Sequence, residues 1–226
     1  ALVLEKKLEL NLRDIELPNK VGLNDVKIKM HTVGICGSDI HYYEHGKIGQ
    51  WNVNAPMVLG HEGSGTIIEV GTDEKILKVG DRVCIEPQIV SKTTKEYKLG
   101  IYNYDQEVKF WATPPIHGCL TPEVIFPSDM VFKLPDNLSY AEGAMVEPLA
   151  VGMQGVTKAK IKPGQIGLVM GCGPIGLVTA LASLAGWCAK VYISDILSEK
   201  LKMCDYYPDL IPVDLSKENL ETKIMD

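Results

Sequence analysis

The first two thirds of the chain is divided by Gly and Pro into short apolar runs rich in Val, Ile and Thr. Runs of that length, bounded by turn residues, predict strands. The clearest are residues 26–33, 65–70, 82–85 and 131–134, with Val79-Gly80-Asp81 as a turn ahead of the third. Closely spaced strands of this kind predict a small barrel or sandwich over residues 1–149. The pattern changes after Lys158. Residues 166–170 form a compact apolar strand, 171–176 a glycine-rich turn, and 177–185 an apolar helix. A second strand is predicted at 190–194, a short helix at 198–206 and a third strand at 210–213. This alternation predicts a parallel sheet. Pro212 cannot donate to a strand ladder, so the third strand is expected at a sheet edge. Residues 140–159 read as a helical connection. The expected class is α/β plus mostly-β: a barrel-like domain over 1–149, then a partial α/β domain over 150–226.

Composition narrows the function classes. The 226 residues are 46% apolar, enough for a core in one or two domains. No apolar run reaches the length of a membrane span, and residues 1–10 carry charges inside their apolar pattern, unlike a signal peptide. A soluble, cytoplasmic protein is expected. The net charge of −6 is spread along the sequence without a basic stripe, which argues against nucleic acid and for a small uncharged ligand. The six cysteines, at 36, 84, 119, 172, 188 and 204, include no C-x-x-C pair. They are expected as free thiols, with Cys84, Cys119, Cys188 and Cys204 acting as small buried hydrophobes.

Two constellations carry chemistry. The first is Gly171-Cys172-Gly173-Pro174-Ile175-Gly176, a G-x-G-x-x-G pattern between a predicted strand and a predicted helix, with Asp195 at the end of the next strand. Gly171 permits the tight turn, Gly173 lets backbone approach a pyrophosphate, and Gly176 lets the helix pack closely on its strand. The helix N-terminus offers its free N–H groups to the anion, and Pro174 and Ile175 are placed with the cofactor-binding residues. Asp195 would accept hydrogen bonds from ribose hydroxyls and repel an added phosphate. NAD is therefore the expected cofactor. Residues 196–200 contain no arginine, which fits NAD over NADP, and Lys200 is placed with the cofactor-binding residues. A complete doubly wound fold has two such halves. The sequence carries the first, so it is expected to be incomplete.

The second constellation pairs Cys36, in Gly34-Ile35-Cys36-Gly37-Ser38-Asp39-Ile40-His41, with Gly60-His61-Glu62-Gly63. Thiolate, imidazole and carboxylate are ligands that zinc prefers, and glycine-flanked turns let them converge. His61 and Glu62 are neighbours, and neighbours on a regular strand face opposite ways. Joint binding therefore demands irregular backbone there.

These segments, with His41-Tyr42-Tyr43, Ala112-Thr113-Pro114-Pro115, Val146-Glu147-Pro148-Leu149 and the glycine-rich turn, resemble the zinc-containing medium-chain dehydrogenases of the polyol branch, which includes sorbitol and xylitol dehydrogenases. The resemblance spans essentially the whole chain. It implies a GroES-like β-barrel catalytic domain, a Rossmann domain, and a cleft between them for zinc and substrate. It assigns Cys36, His61 and Glu62 to the metal, and places Glu147 where other relatives have a second cysteine. Whether Glu62 or Glu147 binds the metal directly stays open. It further implies a proton relay through Ser38 and His41, a polyol pocket lined by Tyr42, Phe110 and Thr113, and homo-oligomers. Relatives often hold a structural zinc with four cysteines where residues 86–100 here have none, so a single catalytic zinc is expected. The implied reaction is NAD-dependent oxidation of a sugar-alcohol hydroxyl to the ketose. The competing readings are a zinc-free quinone or enone reductase on the same scaffold, and a scaffold without turnover because the chain is incomplete.

Overall fold

The computed structural model describes residues 1–225; Asp226, where the expected second domain ends, lies outside the described residues. The chain divides into two compact units, Ala1–Val146 and Glu147–Asp226.

The first unit runs β1 (Leu2–Lys6), β2 (Glu9–Leu12), β3 (Asp25–Gly34), α1 (Gly37–His45), β4 (Lys47–Ile48), β5 (Trp51–Asn52), β6 (Met57–Val58), β7 (Glu62–Val70), β8 (Arg82–Ile85), β9 (Gln88–Ile89), α2 (Lys95–Lys98), β10 (Lys109–Phe110), β11 (Glu123–Pro127), β12 (Val131–Lys133) and α3 (Tyr140–Ala144). Its main sheet is antiparallel, in the order β11-β3-β7-β8-β12. The expected barrel is not closed: among the described residues β11 and β12 are the two edges of an open sheet. Pro127 ends β11 and Pro135 closely follows β12, and proline cannot extend a ladder.

The strands form where alternation supplies a buried face. On β3, Lys27 is partly exposed and Lys29 exposed, while Val26 and Ile28, on either side of Lys27, are fully buried. They pack with Ile67, Val83, Ile85 and Phe126 into the unit's principal core. β3 and β7 approach closely at Gly65, where an added Cβ would fall 2.3 Å from the Lys29 carbonyl oxygen. A smaller sheet, β2-β1-β6, buries Leu4 and Met57 with Tyr42 and Leu59.

The second unit opens within α4 (Val146–Ala159) and continues with β13 (Ile166–Met170), α5 (Pro174–Ala185), β14 (Lys190–Asp195), α6 (Ser198–Leu201), β15 (Leu210–Asp214) and α7 (Leu220–Met225). The sheet is parallel, in the order β13-β14-β15. β14 is buried through four consecutive residues, as a central parallel strand must be. Pro212 lies in β15, at the sheet edge where its missing N–H costs least. The predicted helix at 198–206 is instead one turn of α6 followed by a 3₁₀ segment, Lys202–Tyr206. Pro208 explains the stop, because it drives Tyr207 to an extended conformation. On β13 the side chains of Ile166, Leu168 and Met170 are 58%, 45% and 73% exposed. No helix of the described residues is long and apolar enough to cross a membrane.

Candidate metal centre and nucleotide turn

Cys36, His61 and Glu62 are brought together by two backbone devices. β3 ends at Gly34, and Cys36 forms the N-cap of α1. The glycine-flanked turn expected around Cys36 is therefore a strand end leading straight into a helix. Opposite it, Gly60 adopts φ +88° and β7 begins at Glu62, so His61 precedes the first strand residue. This meets the demand for irregular backbone, and the pair need not point to opposite faces. One ligand atom from each of Cys36, His61 and Glu62 lies within 4.8 Å of the others. Gly34 keeps the space clear: a Cβ there would sit 2.1 Å from Glu62 Oε2.

Asp39, which sequence reasoning did not single out, ties the two turns together. Buried to 3% exposure, it accepts the Cys36 N–H on Oδ2 and the Gly60 N–H on Oδ1, each at 3.0 Å. An acid three residues after a helix N-cap was the available signal. His61 is only 5% exposed and its Nδ1 has no hydrogen-bond partner, unlike a histidine held in a core for packing alone. Burial pushes the Cys36 thiol above its ordinary value; hydrogen bonds from Ser38 oppose this, while the charges of Glu62 and Asp39 reinforce it. A half-buried sulfur and a buried imidazole beside two carboxylates form a donor set that a divalent cation would neutralise. The residues present thus fit zinc.

Beside this cluster lies a cavity of about 680 Å³. Ser38, Tyr42, Phe110 and Thr113 line it together with His61, so the expected relay serine and the expected substrate residues share one cavity with a candidate metal ligand. The Phe110 ring centroid stands 5.5 Å from that of His61. Tyr42 is buried, which raises its phenol above the ordinary value against a hydrogen bond with Thr113, so it stays neutral. Ile48, Trp51 and the run 106–109 also line it. Sequence reasoning missed these because β4, β5 and β10 are two-residue strands without a periodic signal. His41 stands exposed on α1, its ring 4.3 Å from that of His45. Glu147 is half-buried in the first turn of α4 and belongs to the second unit.

The lobe at 86–105 packs Ile89, Val90 and Tyr102 against the principal core and adds polar contacts. Tyr102 donates to both carboxylate oxygens of Glu86, at 2.9 and 3.1 Å, and Thr94 donates to the buried Asp105 at 2.6 Å.

In the second unit each glycine of the nucleotide turn has a distinct physical reason. Gly171 has φ +98°. A Cβ at Gly173, the N-cap of α5, would meet nothing within 4 Å, leaving open space above the helix's free N–H groups. A Cβ at Gly176 would fall 1.8 Å from the Gly171 carbonyl oxygen. Pro174 and Ile175 begin α5, three residues earlier than expected, with proline at a position whose N–H is not needed. Asp195, at the end of β14, accepts N–H groups of Leu197 and Cys172, both at 2.9 Å, and these hold its carboxyl below the ordinary aspartate value. The Lys200 ammonium lies 3.9 Å from the same carboxylate.

The sequence profile of the alcohol dehydrogenase GroES-like domain matches residues 22–136. Over 210 residues the chain is 57% identical to D-xylulose reductase of Morganella morganii, covering 93% of this chain and 62% of that protein. Over 201 residues it is 44% identical to sorbitol dehydrogenase of Bos taurus, covering 89% and 56%. Among solved structures, 2R,3R-butanediol dehydrogenase from Bacillus subtilis aligns with a TM-score of 0.87 at 35% identity, covering 99% of this chain and 65% of that one. The chain thus spans less than two thirds of the length of each of these relatives.

Proposed function

We infer the function from one premise: the chain belongs to the alcohol dehydrogenase family that carries a GroES-like domain. On that premise we propose that the protein oxidises a secondary hydroxyl of a sugar alcohol to the ketose, with zinc and NAD. The observation that carries this reading is the convergence of Cys36, His61 and Glu62 on the edge of a cavity lined by hydroxyl-bearing and aromatic side chains. A zinc-free reductase would have no use for three converging ligands. The names of the relatives, a xylulose reductase and a sorbitol dehydrogenase, favour polyols among the possible alcohols.

Cys36, His61 and Glu62 would hold the zinc ion, which would supply the Lewis acidity that lowers the pKa of a substrate hydroxyl. The chain's own residues do the rest. Tyr42 and Thr113 orient the hydroxyl-rich chain by donating and accepting hydrogen bonds, and Phe110 covers its carbon face. Ser38, on the cavity wall, takes up the departing proton, and His41, exposed on the next turn of α1, passes it to solvent. Asp195, held ionised, receives the ribose hydroxyls of NAD and disfavours the additional phosphate of NADP. Glu147 is a further candidate for the metal's surroundings by family resemblance.

Elemental analysis of the purified protein, alongside oxidation of a xylitol, sorbitol and butanediol panel with NAD or NADP, tests the proposal. About one zinc per chain, lost in Cys36→Ser, and a preference for NAD with pentitols or hexitols are expected. Retention of zinc by Cys36→Ser, or turnover of enones with NADPH in the absence of metal, would sink it.

A further inference from the structure

Helix α1 carries a second histidine that the reaction leaves unused. His41 and His45 are four residues apart, so they lie on one face of α1, one turn from each other. Their ring centroids are 4.3 Å apart with the planes at 69°, and both side chains are exposed. An ion at about 2.0–2.1 Å from one nitrogen of each ring, with bonds between right-angled and tetrahedral, sets the two centroids roughly 4.5–5 Å apart. The rings are therefore within a small adjustment of sharing an ion. Two further features favour positive charge at this spot. The Glu44 carboxylate lies 4.0 Å from His45 Nε2, and α1 ends beside His45, at Gly46, so the helix presents its carbonyl end there. Imidazole pairs suit late divalent metals, with copper above nickel and zinc in affinity.

We propose that His41 and His45 form a second, exposed site for a late divalent transition metal, distinct from the cluster of Cys36, His61 and Glu62, and that occupancy withdraws His41 from proton release and slows turnover. The inhibitory half rests on the reading of His41 as a proton relay given above; the metal site itself rests on the helix geometry alone.

Nickel(II) chloride titrated into the protein as isolated, followed by calorimetry and by the NMR signals of the histidine rings, tests the site. The wild type should bind nickel about tenfold or more tightly than His45→Gln, a difference of about 1.4 kcal/mol. The paramagnetic ion should broaden the ring signals of His41 and His45 before those of His31 and His117. Equal affinity in the two proteins, or broadening that begins at His31 or His117, overturns the site. In polyol oxidation the metal should slow the wild type and spare His45→Gln, whose rate without nickel should match the wild type. Nickel bound at the pair without slowing leaves the site standing and overturns the role of His41 in proton release, so the two failures are told apart.

Discussion

Asp39 performs at the scale of one residue what neither ligand-bearing turn can do alone. Its two oxygens take N–H groups from positions 36 and 60, so the sulfur and the imidazole are held in one frame. Asp39→Ala should leave one buried and one partly buried donor without a partner and cost about 2–4 kcal/mol in urea unfolding, with a parallel loss of zinc content. Unchanged stability would show that the turns hold themselves. Gly176→Ala is the second prediction at this scale. Its Cβ would collide with backbone at 1.8 Å, and backbone cannot swing aside like a side-chain end. A stability loss of about 1–3 kcal/mol and weaker NAD binding are expected, measurable by thermal unfolding and cofactor titration. The convergence of Cys36, His61 and Glu62 and the backbone demands at Gly171 and Gly176 were legible in the sequence, because few residue types suit such positions. Asp39 was only half legible: an acid three residues after the cap signals its bond to the Cys36 N–H, but nothing local announces its contact 21 residues away at Gly60.

At the scale of elements, strands with strict alternation or turn-bounded apolar runs were readable: β8 and β13 begin and end where the pattern places them. Two elements were not. The β1–β2 hairpin turns at Lys7-Leu8 with Leu8 at φ +62°, a conformation that a leucine does not advertise. Helix α1 starts at Gly37 among residues that read as a turn, and it is the cap at Cys36 and the Asp39 contacts that set it. Neighbouring strands are also locked by charge. Asp81, just ahead of β8, accepts from the Lys133 ammonium of β12 at 2.7 Å and from the Lys78 N–H at 3.0 Å. Burial alone would raise its carboxyl, but these partners outweigh it and hold the value below the ordinary one. With the folded value the lower of the two, the clamp stabilises above about pH 3.9, the unfolded aspartate's own value, and its contribution disappears as pH falls through the folded value. The difference in urea midpoint between wild type and Asp81→Asn should therefore be largest near neutrality and shrink towards pH 2. A gap that widens in acid would contradict the assignment.

At the scale of the molecule, each unit has its own apolar core, one around Ile28, Ile67 and Phe126 and the other around Ala180, Val191 and Ile193. The change from short strands to strand–helix–strand grammar made this division visible in the sequence. Closure of the barrel was not visible, because whether edge strands meet depends on twist and length rather than on composition. The exposed apolar row on β13, at the edge of its sheet, should make the isolated chain self-associate as concentration rises. Light scattering should detect this, and Leu168→Lys should suppress it; equal scattering from both proteins would exclude that edge. Finally, the cluster of Cys36, His61 and Glu62 is flanked by positions that admit no side chain. A Cβ at 34 strikes Glu62, one at 60 strikes Leu120 and Val33, and one at 118 strikes the carbonyl of 60. Anyone redesigning the cavity for a new ligand inherits a division of labour: libraries belong at 48, 51 and 106–109 on the cavity wall, while 34, 60 and 118 stay frozen whatever the chosen chemistry.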